Sequence, residues 1–589
     1  MAEFGRLFRK ILVANRGEIA LRVMRACREL GIPTVAVYGE GERDAPHVRY
    51  ADEAFRIPSE QALPYLDVAA IVTAARTAGA DGVHPGYGFL AENAAFARAC
   101  AEAGMVFIGP PPDAIAAMGD KVAARRVARA AGVPVVPGSP GPVDAAGARA
   151  FGDEQGYPIA VKASAGGGGR GFRVAWSAGE VREAWQGASG EASRYFGDPA
   201  VYVERYLDHP RHVEIQVFAD NHGHAVSLGE RDCSIQRRHQ KLIEESPSPA
   251  IDPPTRARMG ETAVALARAV DYRNAGTVEF LFQDGDFYFL EMNTRIQVEH
   301  PVTELVTGID LAREQIRVAA GLPLSFGEGV PLVGHAIECR INAEDPARGF
   351  APTPGRITAY RAPAGFGVRV DSAAEVGYVI LPSYDSLIAK LVVWGRDRDE
   401  ALARLDRALS DYVIEGVAST IPFDRAVLAV PEFRRGDFDT RFIDRHPEVV
   451  ERLGPSGVTS APEQDGVELP EEYVVEVGGK RFDVRLYARS VAAPAPAPRR
   501  GAPRPHARAS APIASGREDV TSPIQGTVLS VGVEVGQSVT AGTVVCVVEA
   551  MKMENEITAP HDGVVRAVDV TPGQTVQIGT RVALIEAAP

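Results

Sequence analysis

The stretch Glu549-Ala550-Met551-Lys552-Met553-Glu554, near the C-terminus, places one lysine between two methionines and separates two valine-rich runs. Residues 523–585 around it repeat internally with a constant offset, so that Pro523 returns as Pro560. Two β-rich halves with one shared pattern predict a small quasi-symmetric sandwich or flattened barrel. Lys552 falls between the halves, where the tip of a hairpin is expected. Most lysines are exposed, so an ordinary solvated turn residue and a functional one are both open at this point.

The composition is typical of a soluble globular protein with several domains. The chain has 589 residues, and a single hydrophobic core rarely grows beyond about 250–300 residues. The formal net charge of −14 argues against nucleic acid as the main partner. The five cysteines form no C-x-x-C pair, which fits a reducing compartment and argues against a structural zinc site. The sequence shows no signal segment and no long apolar run, so we expect a cytoplasmic protein without a membrane partner.

The first residues follow a strand–helix–strand pattern. Residues 10–14 form a short apolar run, helical periodicity follows through residue 30, and residues 34–38 form the next apolar run. This order predicts a βαβ unit and therefore a parallel sheet. Residues 83–90 indicate a strand end, a glycine-rich loop and the start of a helix. One α/β domain to about residue 115 is the simplest account.

A glycine-rich run follows a strand that ends in a lysine. Ile159-Ala160-Val161-Lys162 predicts the strand, and Gly166-Gly167-Gly168-Gly169-Arg170-Gly171 comes shortly after it. Glycine lets several backbone N–H groups approach phosphate oxygens closely. The run is not a dinucleotide fingerprint, because a strand and not a helix is predicted after it, and it lacks the Gly-Lys-Ser/Thr of a Walker A loop. A phosphate cradle and a flexible surface loop are the two interpretations.

Two adjacent strands are predicted to bring oxygen ligands together. Residues 277–293 contain two alternating runs joined by a Gln-Asp-Gly-Asp turn, which predicts a hairpin. The two-residue strand period places Glu291 and Asn293 on one face, and Glu279 on the neighbouring strand can converge on them. Carboxylate and amide oxygens suit Mg²⁺, with Mn²⁺ as an alternative. Solvated strand carboxylates are the competing interpretation.

Three charged runs, a hairpin and a linker complete the pattern. The runs are residues 231–241, 293–304 and 335–344, and the first puts many cations into an otherwise acidic protein. Residues 473–486 predict one hairpin with a Gly-Gly turn. The Ala/Pro/Arg stretch 491–517 cannot build a core, so we expect an extended, semi-rigid linker there.

These motifs resemble known families. Glu549-Ala550-Met551-Lys552-Met553 is similar to the lysine motif of biotinyl carrier domains, and the glycine run after its strand resembles the lid of ATP-grasp enzymes. The segments Ala14-Asn15-Arg16-Gly17-Glu18-Ile19-Ala20 and His84-Pro85-Gly86-Tyr87-Gly88, together with the three charged runs, are similar to biotin carboxylase over residues 8–445. On this resemblance the chain is identified as a member of the biotin-dependent acyl-CoA carboxylase α subunits, which fuse a biotin carboxylase to its carrier.

The resemblance implies a multidomain fold of α/β and α+β parts followed by an all-β domain. The implied domains are a Rossmann-like biotin carboxylase N-terminal domain (1–115), an ATP-grasp domain with a mobile lid (116–333), a biotin carboxylase C-terminal domain (334–446), a short β-rich connector (447–490), the Ala/Pro/Arg linker (491–517) and a biotinyl domain with a lipoyl-like flattened barrel (518–589).

The resemblance also implies a reaction and its residues. ATP and bicarbonate would form carboxyphosphate, whose CO₂ is transferred to biotin attached covalently to Lys552. Glu299 would be the general base, with Lys241, Arg295 and Arg340 as the other catalytic residues. The implied ATP site is Lys121, Lys162, Gly166, Gly167, Gly168, Gly169, Gly171, Glu204, His212, Gln236, His239, Glu279 and Glu291. The implied bicarbonate site is Lys241, Arg295, Gln297, Val298 and Glu299, the biotin pocket is Tyr87, Arg340 and Asp385, and the metal ligands are Glu279, Glu291 and Asn293.

The partners follow from the same resemblance. A separate carboxyltransferase β subunit would move the carboxyl group from carboxybiotin to an acyl-CoA, which implies a hetero-oligomer, and a biotin protein ligase would attach the biotin. Acetyl-CoA and propionyl-CoA are favoured, and longer or branched acyl groups are the alternative. Two other classes stay open: a binding module whose front domains are inactive, and another ATP-grasp ligase fused to a carrier domain.

Overall fold

The structure is a computed structural model. It describes residues 8–58, 63–163, 171–196, 198–454, 471–477, 480–486, 517–522, 526–550, 553–576 and 579–587. The chain divides into two units, residues 1–458 and residues 459–589. Among the helices described, none combines the length and the apolar character that a membrane crossing requires.

The first unit begins with a five-stranded sheet flanked by helices. The strands are Ile11–Val13 (β1), Thr34–Tyr38 (β2), Glu53–Arg56 (β3), Gly82–His84 (β4) and Val106–Phe107 (β5), and the helices are Gly17–Glu29 (α1), Pro46–Tyr50 (α2), Val68–Ala78 (α3), Ala94–Glu102 (α4) and Pro112–Gly119 (α5). Their order is β3-β2-β1-β4-β5, and all neighbours are parallel, which confirms the predicted βαβ start. The helix predicted to start near residue 90 begins only at Ala94, because Asn93 caps it by accepting from the backbone N–H of Phe96.

The middle of the first unit adds six helices and two groups of strands. The helices are Lys121–Ala130 (α6), Ala145–Gln155 (α7), Val181–Phe196 (α8), Pro253–Ala269 (α9), His300–Thr307 (α10) and Leu311–Ala319 (α11). The strands are Ile159–Ala163 (β6), Phe172–Ala175 (β7), Val201–Arg205 (β8), Arg211–Ala219 (β9), Ala225–Arg237 (β10), Gln240–Ser246 (β11), Asn274–Gln283 (β12) and Asp286–Asn293 (β13). A small antiparallel sheet has the order β7-β6-β8, so a strand does follow the glycine run, as predicted. β12 and β13 form the predicted hairpin.

The last part of the first unit completes a large sheet. Its strands are His335–Asn342 (β14), Glu344–Asp345 (β15), Ala351–Pro352 (β16), Gly355–Arg356 (β17), Ala359–Arg361 (β18), Val368–Ser372 (β19), Val379–Ile380 (β20), Leu387–Gly395 (β21) and Val413–Glu415 (β22), and its helices are Arg398–Asp411 (α12), Ile421–Leu428 (α13), Pro431–Arg435 (α14), Phe442–Arg445 (α15) and Glu448–Glu451 (α16). The order of the eight-stranded sheet is β13-β12-β9-β10-β11-β14-β21-β19. Its neighbours are antiparallel, so residues far apart in sequence face each other across it.

The second unit contains the predicted hairpin and an all-β repeat. The hairpin strands are Glu471–Val477 (β23) and Lys480–Leu486 (β24), and the repeat contains Arg517–Thr521 (β25), Gly526–Val531 (β26), Ser538–Val539 (β27), Val544–Ala550 (β28), Met553–Thr558 (β29), Gly563–Val568 (β30), Thr575–Val576 (β31) and Arg581–Ala587 (β32). Two four-stranded sheets have the orders β25-β32-β30-β27 and β29-β28-β26-β31. β26, β27 and β28 recur as β30, β31 and β32 at one sequence offset, which confirms the predicted quasi-symmetric β-domain.

Candidate active site

The candidate site lies on one face of the eight-stranded sheet. Residues opposite each other in an antiparallel pair point to the same face. Glu214 on β9 lies opposite Glu279 on β12 and Arg231 on β10. Farther along the sheet, Arg340 on β14 lies opposite Lys390 on β21. The register therefore collects ionisable side chains from distant parts of the sequence.

Lys241, on β11, links three buried carboxylates. Its Nζ donates to Glu214 Oε2 (2.6 Å), Glu279 Oε1 (2.9 Å) and Glu299 Oε1 (2.6 Å). Burial alone would lower the pKa of Lys241, but the surrounding anionic groups outweigh burial and raise the pKa well above its ordinary value. Lys241 is thus a permanent cation at the centre of the cluster.

Glu299 accepts hydrogen bonds from two cations. Arg340 Nη2 donates to Glu299 Oε2 (2.9 Å), while Lys241 holds the other oxygen. Burial raises the pKa of Glu299, but Lys241 and Arg340 outweigh burial and hold the pKa below its ordinary value. Glu299 also stands at the N-terminus of α10, where the helix dipole favours an anion. The carboxylate is therefore ionised at neutral pH and able to accept a proton.

Arg340 bridges Glu299 and a second glutamate. Its Nε donates to Glu244 Oε1 (2.6 Å). Burial would lower the pKa of Arg340, but Glu244 and Glu299 raise it above its ordinary value. The other oxygen of Glu244 is buried without a hydrogen-bond partner. The guanidinium is thus held between one carboxylate of the predicted catalytic set and one that no sequence motif singles out.

Glu279, Glu291 and Asn293, the residues predicted to bind a metal, lie on the paired strands β12 and β13. Glu279 lies directly opposite Glu291, and its Oε1 accepts from Asn293 Nδ2 (2.8 Å). His212 Nε2 lies 2.7 Å from Glu279 Oε2. Burial raises the pKa of Glu279, but Lys241 and His212 outweigh burial and hold the pKa well below its ordinary value. Asn293 Oδ1 accepts from Arg295 Nη2 (2.8 Å), so the oxygens that these residues offer to a hard divalent cation such as Mg²⁺ are mainly those of the two carboxylates.

The loop between β13 and α10 carries four of the five predicted bicarbonate residues, and the fifth, Lys241, lies on β11. Side chains from other elements fix this loop at three places. Glu92 Oε2 accepts from Arg295 Nε (2.8 Å), Arg231 Nη2 donates to Gln297 Oε1 (2.8 Å), and Lys390 Nζ donates to the carbonyl oxygen of Val298 (2.9 Å). The loop thus places a guanidinium, an amide and a backbone segment beside Glu299, a combination that can bind a small oxyanion.

The predicted nucleotide residues are only partly within the described chain. Lys162 Nζ donates to Glu204 Oε2 (2.6 Å), and Arg125 also pairs with Glu204. Gln236 lies on β10 opposite Lys241 on β11, and His239 is exposed in the turn between the two strands. Gly171 donates from its backbone to Glu191. The side chain of Lys121 and residues Gly166, Gly167, Gly168 and Gly169 lie outside the described residues, as does Lys552.

The predicted biotin pocket involves Tyr87, which is fixed from two sides. Its hydroxyl donates to Glu18, and its carbonyl oxygen accepts from Asn15 Nδ2 (2.8 Å). Gly86 has a φ of +63°, and a Cβ at this position would lie 2.9 Å from Asn15 Nδ2, so the loop requires glycine here. Asp385 is exposed and accepts from the backbone N–H of Leu387 (3.1 Å), and its role stays a prediction.

Several partners of the predicted residues were not expected from the sequence. These are Glu18, Glu214, Arg231, Glu244 and Lys390. A signal was present for two of them: Glu214 belongs to an alternating run with His212, and Lys390 interrupts an apolar strand. Glu18 and Arg231 stand within the motifs quoted above, but no role was assigned to them. Glu244 has no distinguishing signal, because its importance comes from strand register.

Comparison with known sequence families places four matches along the chain. The families are "Biotin carboxylase, N-terminal domain" over residues 7–115, "Carbamoyl-phosphate synthase L chain, ATP binding domain" over residues 120–326, "Biotin carboxylase C-terminal domain" over residues 338–445 and "Biotin-requiring enzyme" over residues 518–585.

Individual proteins match over most of their length. The biotin-dependent acyl-coenzyme A carboxylase alpha3 subunit of Mycobacterium leprae is 48% identical over 560 residues, which cover 93% of this chain and 93% of that protein. The crystal structure of the biotin carboxylase domain of Hydrogenobacter thermophilus 2-oxoglutarate carboxylase, in complex with MgADP, ADP and bicarbonate, has 49% identity and a TM-score of 0.70, covering 76% of this chain and 99% of that chain. The crystal structure of the biotin carboxylase subunit of pyruvate carboxylase has 50% identity and a TM-score of 0.70, covering 75% of this chain and 99% of that chain.

Proposed function

The chain belongs to the biotin-dependent carboxylases, with biotin carboxylase domains followed by a biotinyl domain, and we propose that it carboxylates biotin carried on its own Lys552, using ATP and bicarbonate. The observation that carries this proposal is the position of Glu299. Its two oxygens accept from Lys241 and Arg340, and it is buried beside the loop that holds Arg295. An ionised, buried carboxylate between two cations can take the proton of a bound oxyanion.

Glu299 would act as the general base on bicarbonate. Lys241 and Arg295 would bind the bicarbonate oxygens, since both present cationic N–H donors close to Glu299. As Glu299 takes the bicarbonate proton, a bicarbonate oxygen forms a bond to the γ-phosphorus of ATP and ADP leaves. The product is carboxyphosphate, which then releases CO₂ and phosphate. Arg231 donates to Gln297, and Lys390 donates to the carbonyl oxygen of Val298. These two loop residues would keep the bicarbonate aligned with the γ-phosphorus.

Positive charge near the phosphates would come from several sources. His212, His239, Lys162 and Lys121 would neutralise phosphate oxygens, together with the glycine run. Glu279, Glu291 and Asn293 would hold Mg²⁺, which lowers the repulsion between ATP oxygens and the incoming anion when bound. Mn²⁺ shares this preference for oxygen ligands.

Arg340 would complete the site on the biotin side. Biotin, when attached, would supply a ureido nitrogen that accepts the carboxyl group, and the proton of that nitrogen would pass to the phosphate released together with CO₂. Arg340 would stabilise the negative charge that develops on the ureido oxygen, an oxyanion role that its two hydrogen bonds prepare by fixing the guanidinium. Tyr87 and Asp385 would line the pocket. On the carrier, the paired residues Ala550 of β28 and Met553 of β29 flank Lys552 in sequence, which supports its assignment as the attachment point.

We further propose that the acceptor of the carboxyl group is an acyl-CoA and that a carboxyltransferase partner handles it. The M. leprae relative, named for an acyl-coenzyme A carboxylase, matches both units of this chain, whereas the biotin carboxylase subunit of pyruvate carboxylase matches 75% of it. Acetyl-CoA and propionyl-CoA are favoured over longer or branched acyl groups. This proposal is tested by adding a purified carboxyltransferase partner and a panel of acyl-CoAs. Carboxylation of pyruvate but of no acyl-CoA would contradict it.

All five cysteines are free and buried, which supports the proposal of a reducing, cytoplasmic location.

The test of the first proposal is Glu299→Gln. We expect bicarbonate-dependent ATP cleavage, assayed with free biotin, to fall by roughly 10²–10⁴-fold, because the amide cannot accept the proton. The matched control is Glu328→Gln, a glutamate whose side chain is 83% exposed, which should behave as the wild type. Near-normal turnover of Glu299→Gln would refute the assignment of the base.

A further inference from the structure

Lys390 is a fully buried lysine inside an apolar strand. It lies between Ala389 and Leu391 on β21, and its side chain has 0% exposure. A buried ammonium group is costly unless it is paired and hydrogen-bonded. Its partners therefore explain why a cation is kept at this position.

The ammonium group joins two separate elements. Its Nζ donates to the carbonyl oxygen of Val298 (2.9 Å) and lies 3.1 Å from Glu18 Oε1. The next carboxylate, Asp371, is 3.9 Å away and is itself paired with Arg369 at 2.6 Å. The close partners of Lys390 are thus a backbone oxygen of the β13–α10 loop and a side chain of α1.

Each close partner belongs to the surroundings of a different substrate. Val298 directly precedes Glu299 in the proposed bicarbonate loop. Glu18 accepts the hydroxyl hydrogen bond of Tyr87 in the proposed biotin pocket. Lys390 Nζ also lies 5.7 Å from the centre of the Tyr87 ring, within the range of a cation–π contact. One cation therefore contacts both the proposed bicarbonate loop, at Val298, and Glu18, the hydrogen-bond partner of Tyr87 in the proposed biotin pocket.

We propose that Lys390 is a positioning residue that holds the bicarbonate-binding backbone at Val298 and the biotin-pocket residue Tyr87 in one fixed geometry. This inference rests on the proposed function and deepens it. Transfer of a carboxyl group requires donor and acceptor atoms to approach within bonding reach, and a misplacement of about 1 Å can cost roughly 10²-fold in rate. A strand residue that contacts both Val298 and Glu18 supplies that alignment from the rigid sheet.

Lys390→Met tests the proposal in the full chain. Methionine keeps the length of the side chain and its apolar packing but donates to neither partner. We expect the KM values for bicarbonate and for free biotin to rise together, each roughly tenfold, as the loss of a charge-assisted hydrogen bond predicts. The KM for ATP should stay within about twofold, because Lys162 and Glu204 do not depend on this contact.

Lys10→Met is the matched control. Lys10 Nζ also bonds a glutamate, Glu53 (2.5 Å), and a carbonyl oxygen, that of Ala78 (2.7 Å), but at the edge of the N-terminal sheet. It should leave all three KM values unchanged. A Lys390→Met protein with wild-type KM values, or with an equal rise for ATP, overturns the proposal, since the second pattern marks a general loss of structure.

Glu18→Gln keeps the test decisive if Lys390→Met does not fold. Glutamine preserves the acceptor for Tyr87 but removes the charge that Lys390 pairs with, so we expect the KM for biotin to rise roughly threefold and the KM for bicarbonate to stay within about twofold. An unchanged KM for biotin overturns the proposal. If the wild-type protein shows no bicarbonate-dependent ATP cleavage, both the proposed function and this inference are contradicted. If the wild type is active and the variants have wild-type KM values, only this inference is contradicted.

Discussion

Both units bury apolar side chains, but among the described residues only the first buries a cluster of charged ones as well. The sheet face around Lys241 buries carboxylates and cations together, whereas the core of residues 517–587 consists of valine, isoleucine and alanine around Cys546, with one buried polar residue, Ser522, among the described positions. Buried charges are costly unless every member is paired, so those of the first unit are stable only as a set. The ionisable residues proposed for the reaction therefore lie in the first unit. The second unit is an apolar scaffold that carries the β28–β29 hairpin.

Removal of one buried cation should destabilise the first unit. Arg231 has 0% side-chain exposure and donates to Glu214, Gln216 and Thr303 among others. We expect Arg231→Met to lower the free energy of unfolding by about 3–5 kcal/mol, because it leaves Glu214 buried with one cation fewer. Chemical denaturation followed by circular dichroism measures this change.

The second unit offers the control for that variant. Arg566 pairs with Glu586 at 2.5 Å, but its side chain is 51% exposed. Arg566→Met should therefore change stability by less than about 1 kcal/mol. Equal effects of the two arginine variants would contradict the contrast between the units.

A cavity in the carrier core should affect the second unit alone. Ile585 on β32 is fully buried among valines. We expect Ile585→Ala to destabilise the β-domain by about 2–5 kcal/mol and to lower its biotinylation, because deleting buried methylene groups leaves a cavity. ATP cleavage supported by free biotin should be retained. A parallel loss of that activity would show that the first unit depends on the carrier core.

Glu244→Gln should change how stability depends on pH. Burial raises the pKa of Glu244 from 4.5 to about 7, more than Arg340 lowers it. Since the folded chain then keeps a proton that the unfolded chain releases, the stability contributed by this group falls as pH rises from about 4.5 to about 7. Glutamine cannot ionise, so the stability of the wild type relative to the variant should fall by up to about 3 kcal/mol across this window. Melting temperatures measured across it would contradict this if the two curves run parallel.

Much of the fold was predictable because it depends on local patterns. The βαβ start, the β12–β13 hairpin and the repeat in the carrier follow from alternation, turn residues and sequence offset, all of which act over short distances. The helix expected near residue 90 begins later, because the capping residue Asn93 and not the glycine-rich loop sets its start. The order of the eight-stranded sheet depends on pairings between distant strands, which no local pattern encodes.

The sequence predicts which residues belong to the candidate site but not which of them contact each other. Glu299, Lys241, Arg340 and Glu279 were named from motifs, and the structure brings them together. That Lys241 bonds three carboxylates at once could not be foreseen, because each contact comes from a different part of the chain. The place of Glu244 in the site follows only from the hydrogen bond that it accepts from Arg340. Strand register brings these two residues together.

The most direct test is to follow labelled bicarbonate into the chain. Biotinylated wild-type protein, incubated with ATP, Mg²⁺ and labelled bicarbonate, should acquire the label covalently, on the carrier domain and only when ATP is present. Lys552→Arg should acquire none, yet still cleave ATP when free biotin and bicarbonate are supplied. A wild-type chain that takes up no label, or a Lys552→Arg chain that does, would contradict the claim that this protein carboxylates biotin on Lys552.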